Sequence, residues 1–226
     1  MPVLKDPRPA ARSIFDATVG ALKSGADVDS CTALVAKADR SFEANFDRLR
    51  QKGAPIACKS GCNFCCYLRV TVTAPEAIAL FRHLRSQLPA PLAHEIEQRV
   101  LANAAQIAHM TEEQRSSTNV KCAFLVDGAC SAYRARPMAC ALHHSLDVDA
   151  CEHLYQNPTD VSVGIRKLKV IEDTMAATHA GLKQALEGLG LSDAPMELHI
   201  AVAAVLRDPS LIERWRSGRP LLKPTK

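Results

Sequence analysis

The sequence predicts a mainly α fold: a helical frame around one irregular, cysteine-rich, metal-binding segment, with room for a short strand pair. Three observations predict it. Apolar residues recur at helical spacing on both sides of the segment, from Ile14 to Leu22 and from Ile171 onward. Eight of the nine cysteines, Cys58 through Cys151, crowd between these stripes. Proline and glycine punctuate the chain where the stripes stop, as at Gly53-Ala-Pro55 and Pro89-Ala-Pro91. The expected organisation is an N-terminal helical segment (1–53), a cysteine-cluster domain (54–157) and a C-terminal helical segment (158–226) packed on the same core.

In order along the chain, Arg12 to Gly53 reads as two helices. The first carries Ile14, Phe15, Val19 and Leu22 and breaks at Gly25-Ala-Asp-Val-Asp29; the second runs from Ser30 to Arg50. Cys58 to Arg69 is too dense in small and sulfur residues for a plain helix, so a loop closing into a helical turn is expected. Val70 to Val72 reads as a short strand. Thr73-Ala-Pro-Glu76 then has the form of a capping box with an early proline, opening a helix with the stripe Ile78, Phe81, Leu84 and Leu88. Leu92, Ile96, Val100, Ala104 and Ile107 mark another helix reaching Met110, followed by a polar loop from Thr111 to Asn119. Val120 to Asn157 holds no sustained stripe and is expected to be irregular. Pro158-Thr-Asp160 should open a long helix to Glu187, with Val163, Leu168, Ile171 and Met175 on its core face; two more follow, at Ala194–Arg207 and Pro209–Arg216.

The thiols fall in two groups, Cys58-x3-Cys62-x2-Cys65-Cys66 and Cys122-x7-Cys130-x9-Cys140-x10-Cys151. A thiolate site needs four sulfurs converging on one point, and a short loop supplies two or three of them. The start of the chain, Met1-Pro-Val-Leu-Lys-Asp-Pro-Arg-Pro9, interrupts any apolar run, so no secretory signal is read and a cytoplasmic location is expected. In a reducing compartment clustered cysteines are metal ligands first and disulfides second. Ile200 to Leu206 is the longest apolar run and is far too short for a bilayer span. A net charge of +4 without a dense Lys/Arg run, and 4% aromatic residues, argue against nucleic acid as a partner. A protein partner met through helical surfaces is the alternative.

Cys58-Lys-Ser-Gly-Cys62-Asn-Phe-Cys65-Cys66, Cys122-Ala-Phe-Leu125, Cys130-Ser-Ala-Tyr133-Arg-Ala-Arg136-Pro137-Met-Ala-Cys140 and Cys151 together resemble the YkgJ-type cysteine-cluster proteins, which carry a zinc- or iron-chelating CxxCxxCC domain. All eight family cysteine positions are filled between Cys58 and Cys151. The first gap holds three residues where the family name implies two, and Ala141 stands where relatives often have arginine. The resemblance implies a metal held by Cys58, Cys62, Cys65, Cys66, Cys122, Cys130, Cys140 and Cys151. Some members look like the cluster region of flagellin lysine methylases, which implies methyl transfer as one alternative. With ten glycines and no strand-linked Gly-x-Gly turn, the chain offers no cradle for a nucleotide-like cofactor, and no catalytic residue is assigned.

Thiolate softness suits iron and zinc alike. Zinc ribbons bring two Cys-x2-Cys knuckles, and only Cys62/Cys65 qualifies here, whereas three close cysteines plus a remote one match an iron–sulfur arrangement. The loop also resembles that of radical S-adenosylmethionine enzymes, although the β/α barrel those enzymes use is not in the pattern. A 4Fe-4S cluster serving electron transfer, sensing or assistance to another enzyme is therefore favoured. Cys58, Cys62 and Cys65 are its expected loop ligands, with Cys140 as the fourth. Structural zinc in a module that presents helical surfaces to a partner is the alternative. Eight thiols exceed one four-ligand site, so two sites, redox-active spares or structural spares all fit, and the adjacent Cys65 and Cys66 are expected to point apart.

Several further residues flank the thiols. Lys59, Arg69, Lys121 and Arg134 read as solvated or charge-offsetting, Arg136 as a clamp on backbone or sulfur, and Tyr133 as a packing residue. His143, His144 and His153 follow the last cysteines and could complete a metal site, but non-ligand roles are favoured. Cys31 falls on an N-terminal helix, where a buried inert thiol is expected.

Overall fold

In the computed structural model, which describes residues 6–59, 61–160 and 162–222, the helices frame the cysteine segment as the sequence predicts. Residues 1–5 of the opening stretch in which no secretory signal is read lie outside the described residues, as do Ser60 in the first cysteine loop, Val161 and residues 223–226. Helices α1 (Arg8–Leu22) and α2 (Val28–Gln51) occupy the N-terminal stripes. Asp27 caps α2, its Oδ1 accepting from Ser30 N–H at 2.7 Å. Strand β1 (Thr71–Val72) leads into α3 (Ala74–Ser86), and α4 (Ala90–Ile107) starts directly after Pro89.

Three stretches differ from expectation. Thr111 to Asn119 is not wholly loop: Thr111 Oγ1 accepts from Gln114 N–H while the Gln114 side chain accepts from Thr111 N–H, and this capping box nucleates α5 (Glu112–Ser117). Val120 to Asn157 is richer in structure than its missing stripe suggests. It contains a hairpin of β2 (Leu125–Val126) and β3 (Ala129–Cys130), turned by Asp127 and Gly128 at φ 47° and 77°. Two short helices follow, α6 (Met138–Leu142) and α7 (Val148–Gln156).

The third difference is α8, which runs over Lys169–Gly188 rather than from Pro158. Backbone upstream of it is committed elsewhere: Leu146 N–H donates to Arg166 O at 2.9 Å and Leu168 N–H to His144 Nε2 at 2.7 Å. Val163 and Leu168 consequently precede the helix. Strand β4 (Met196–Glu197) pairs antiparallel with β1, and α9 (Leu198–Arg207) and α10 (Leu211–Arg216) close the chain.

One apolar core collects side chains from every part of the chain: Ile14, Leu34 and Phe42 from the first two helices, Ile78, Ile96, Phe124 and Leu142 from the middle, and Leu186, Val202 and Trp215 from the last three. Helices α1 and α8 cross with their backbones nearly touching at Gly181. A Cβ there would press on the Ala11 carbonyl and stand 2.8 Å from Ile14 Cγ2. Gly181→Ala is therefore expected to destabilise the protein by about 1–3 kcal/mol through overpacking, despite alanine's better helix propensity. Urea denaturation checks this, and an unchanged midpoint would mean the crossing yields freely. Among the described residues no helix is long and apolar enough to cross a membrane.

Candidate metal centre

Each thiol is placed by a local device. Cys58 ends the extended segment after α2, where Ala57 N–H donates to Ser145 O at 2.9 Å and Ser145 N–H donates to the Cys58 sulfur at 3.3 Å. Cys62 follows Gly61, whose φ of 85° turns the loop back. Cys65 and Cys66 sit in a 3-10 turn, Phe64–Tyr67. Successive side chains in such a turn diverge by about 120°.

Cys122 is anchored by its N–H on Cys66 O at 2.8 Å, and Cys130 lies opposite Leu125 in the hairpin. Cys140 is carried by α6. The capping residue of α3 also places that helix: Glu76 accepts from Thr73 N–H and Oγ–H, each at 2.7 Å, and its other oxygen accepts from Met138 N–H at 2.8 Å. Cys151 rides on α7, its thiol donating to Asp147 O at 3.4 Å, while Asp147 Oδ1 caps the helix.

Charge proximity links the thiols through Cys65, which raises Cys58, Cys151, Cys122, Cys130 and Cys140 alike. Burial pushes Cys58 above the ordinary thiol range, an effect only partly offset by the Ser145 N–H, and Cys62, Cys65 and Cys151 push it further. Cys151 is raised by burial and by Cys62 and Cys65. Cys140 is raised well above the ordinary value by burial, then by Cys122, Cys130 and Cys65. Burial carries Cys122 up to about 12 and raises Cys130. Cys65 is raised first by its hydrogen bond with Cys66, then by burial. Cys151 is thus one remote thiol beside the Cys58 loop, and Cys140 lies near Cys65 of that loop as well as near Cys122 and Cys130.

The eight thiols are free and half-buried, and Cys31 is fully buried on α2 and pushed up to about 12 by burial. Among the described residues, no three His, Cys, Asp or Glu side chains are already drawn onto one ion-sized point. The donor chemistry nevertheless fits a thiophilic metal. Soft ligands are concentrated where their thiolate forms repel one another, so a cation is what would let them ionise together.

Arg136 is a clamp, as expected, but its partners are carboxylates on α2 rather than backbone or sulfur. Its Nε donates to Asp39 Oδ1 at 2.8 Å, its Nη2 pairs with Glu43, and it stacks on Tyr133, 4.0 Å from the ring centroid. Tyr133 also donates to Glu43 at 3.1 Å. Lys59, Lys121 and Arg134 are exposed, and Arg69 pairs with Glu112.

Asp39, Glu43, Glu76, Ser145 and Asp147 escaped the sequence reading. So did His199, whose Nε2 accepts from Ala123 N–H at 3.2 Å and whose Nδ1–H donates to Glu197 at 3.1 Å, tying the Cys122 backbone to α9. Only the capping pattern at Thr73–Glu76 signalled any of them in advance.

The chain from Ala57 onward can now be set beside known proteins. Residues 57–161 match the family model CxxCxxCC, described as a "putative zinc- or iron-chelating domain". Over this segment the chain is similar to the CxxCxxCC domain. The match to the CxxCxxCC model contains all eight clustered cysteines and leaves out α1, α2 and the helices from α8 onward. No curated protein and no solved structure matches the chain. Metal binding is accordingly the activity indicated for residues 57–161.

Two of the three candidate histidines, His144 and His153, are otherwise engaged. His144 is buried, with Nδ1 toward Leu142 O at 3.2 Å and Nε2 accepting from Leu168 N–H; His153 pairs with Asp160 at 2.7 Å. Burial lowers the pKa of His144 and holds that of His143 to about 4. The folded state therefore keeps these rings neutral while the unfolded chain takes up protons below about pH 6.5. Stability should fall as pH drops from about 6.5 toward 4, by at most about 1.4 kcal/mol per pH unit for each ring. Urea titrations across that window check this, and a slope unaltered by His143→Gln would remove His143 from the account.

Proposed function

We propose that Cys58, Cys62, Cys65 and Cys151 hold a four-iron iron–sulfur cluster that serves electron transfer, sensing or assistance to another enzyme. The observation that carries this reading is the tie between the Cys58 loop and α7. Ser145 donates its N–H to the Cys58 sulfur and its hydroxyl to Asp147 O at 2.7 Å, and the same oxygen receives the Cys151 thiol. A three-cysteine loop thereby gains one remote thiol, the ligand count such a cluster requires.

A partner would meet the cluster's rim. Leu68, Tyr133 and Val148, the exposed large hydrophobic residues among those described, each lie within three residues of a cysteine. Anaerobic purification with iron, sulfide and zinc analysis tests the reading. Iron and acid-labile sulfide in matched amounts are expected; stoichiometric zinc without sulfide would overturn it.

A further inference from the structure

The second cysteine group is laid against the first by a clasp anchored outside the matched segment. We infer that Glu197 and His199, together with Arg115, are positioning residues for the metal centre: they hold both ends of the segment 118–123 and so set the register of Cys122 against the Cys62–Cys66 loop. The inference rests on metal binding by residues 57–161 and is the same for iron or zinc.

Residues 118–123 belong to no helix or sheet that could fix them. Val120 N–H donates to Tyr67 O at 3.3 Å and Cys122 N–H to Cys66 O at 2.8 Å, two bonds that run one cysteine group along the other. The ends are held from elsewhere. Arg115 Nη1, on α5, donates to Thr118 O at 3.4 Å, and His199 Nε2, on α9, accepts from Ala123 N–H at 3.2 Å. Both holders meet on Glu197, whose Oε1 accepts from Arg115 Nη2 at 3.3 Å and from His199 Nδ1–H at 3.1 Å.

The second oxygen of Glu197 caps α9, accepting from His199 N–H at 2.6 Å and Ile200 N–H at 3.1 Å, so every bond this carboxylate makes fixes the clasp. Glu197 also lies opposite Thr71 in the β1–β4 pair, which fixes the chain leaving the first cysteine loop. The side chains of Arg115, Glu197 and His199 are 4%, 7% and 4% exposed. Unpaired polar groups are costly in such a place, so the three hold one another in a single arrangement. The tautomer follows as well: a ring that accepts at Nε2 carries its proton on Nδ1, where Glu197 receives it. Carboxylate–histidine pairs commonly orient metal ligands directly. Here the pair acts on the backbone next to Cys122.

Two substitutions at His199 separate positioning from stability. In His199→Gln the amide oxygen can stand near the Nε2 position and accept from Ala123 N–H. In His199→Asn the amide nitrogen stands near the Nδ1 position, which keeps Glu197 and leaves Ala123 N–H unpaired. Each variant gives up one buried hydrogen bond, so their urea midpoints should fall alike. Anaerobic zinc competition titrations on the full chain should show His199→Asn binding about 10–100-fold more weakly than wild type, with His199→Gln close to wild type. Gly181→Ala, which destabilises the α1–α8 crossing, should leave zinc affinity unchanged. Wild-type affinity in His199→Asn, equal losses in both His199 variants, or a comparable loss in Gly181→Ala would overturn the inference.

The metal-binding reading fails separately. A wild-type chain that takes up neither zinc nor iron would overturn it, and amide exchange in the metal-free protein would still decide the clasp. Val120, Cys122 and Ala123 N–H should exchange faster in Glu197→Gln than in Gly181→Ala; equal rates at all three would sink the clasp.

Discussion

Arg136→Ala is expected to lower the unfolding free energy by about 3–5 kcal/mol, the usual cost of removing one partner from a buried ion pair. Asp39 is 1% exposed and Arg136 12% exposed, so water cannot replace the guanidinium. One Asp39 oxygen already lacks a hydrogen-bond partner, and Arg134 stands 3.8 Å away at the surface, too distant and too solvated to take over. The stack on Tyr133 is lost as well. Coulomb attraction across the pair is not the same as its net worth, because burying both charges was costly in the first place. Asp39→Leu combined with Arg136→Met should therefore recover most of the loss, whereas either change alone should not. A loss under about 1 kcal/mol for Arg136→Ala would show that the pair is effectively solvated.

This pair also links frame to cluster. Asp39 and Glu43 lie on α2, outside the matched domain, and Arg136 lies between Cys130 and Cys140. Its positive charge favours the ionised forms of Cys65 and Cys130. The Arg136→Ala variant should thus weaken metal retention as well as folding, and a metal assay on the still-folded fraction separates the two effects.

How far the sequence spoke depended on whether a structure was decided locally. Thr73 and Glu76 lie three residues apart and close their own box, so α3 was legible. The same grammar at Thr111 and Gln114 was passed over because no apolar stripe follows it. The start of α8 could not be read from Pro158 and Asp160, since hydrogen bonds from Leu146 and Leu168 to distant partners set it. The cysteine spacings gave the donors but not their grouping. Spacing orders thiols along the chain, and it is Ser145, eighty-seven residues from Cys58, that chooses the neighbour.

Metal affinity should rise steeply with pH. Cys58, Cys65, Cys122, Cys130, Cys140 and Cys151 are all raised above the ordinary thiol pKa. Each of these sulfurs is protonated at neutral pH and must release its proton to ligate. The sign follows: lowering the pH favours the protonated, metal-free thiols, and raising it favours the metal-bound form. Each such thiol that ligates makes the apparent affinity grow about tenfold per pH unit, so three of them at one metal give about a thousandfold, so long as the pH stays well below the raised values.

Anaerobic zinc competition titrations between about pH 6 and 8 read this slope directly, and calorimetry in buffers of different ionisation enthalpy counts the protons released. A change of no more than about tenfold per unit would mean the thiols are already ionised without metal. Burial and mutual repulsion, the two forces that give the free site its character, would then be weaker than its packing implies.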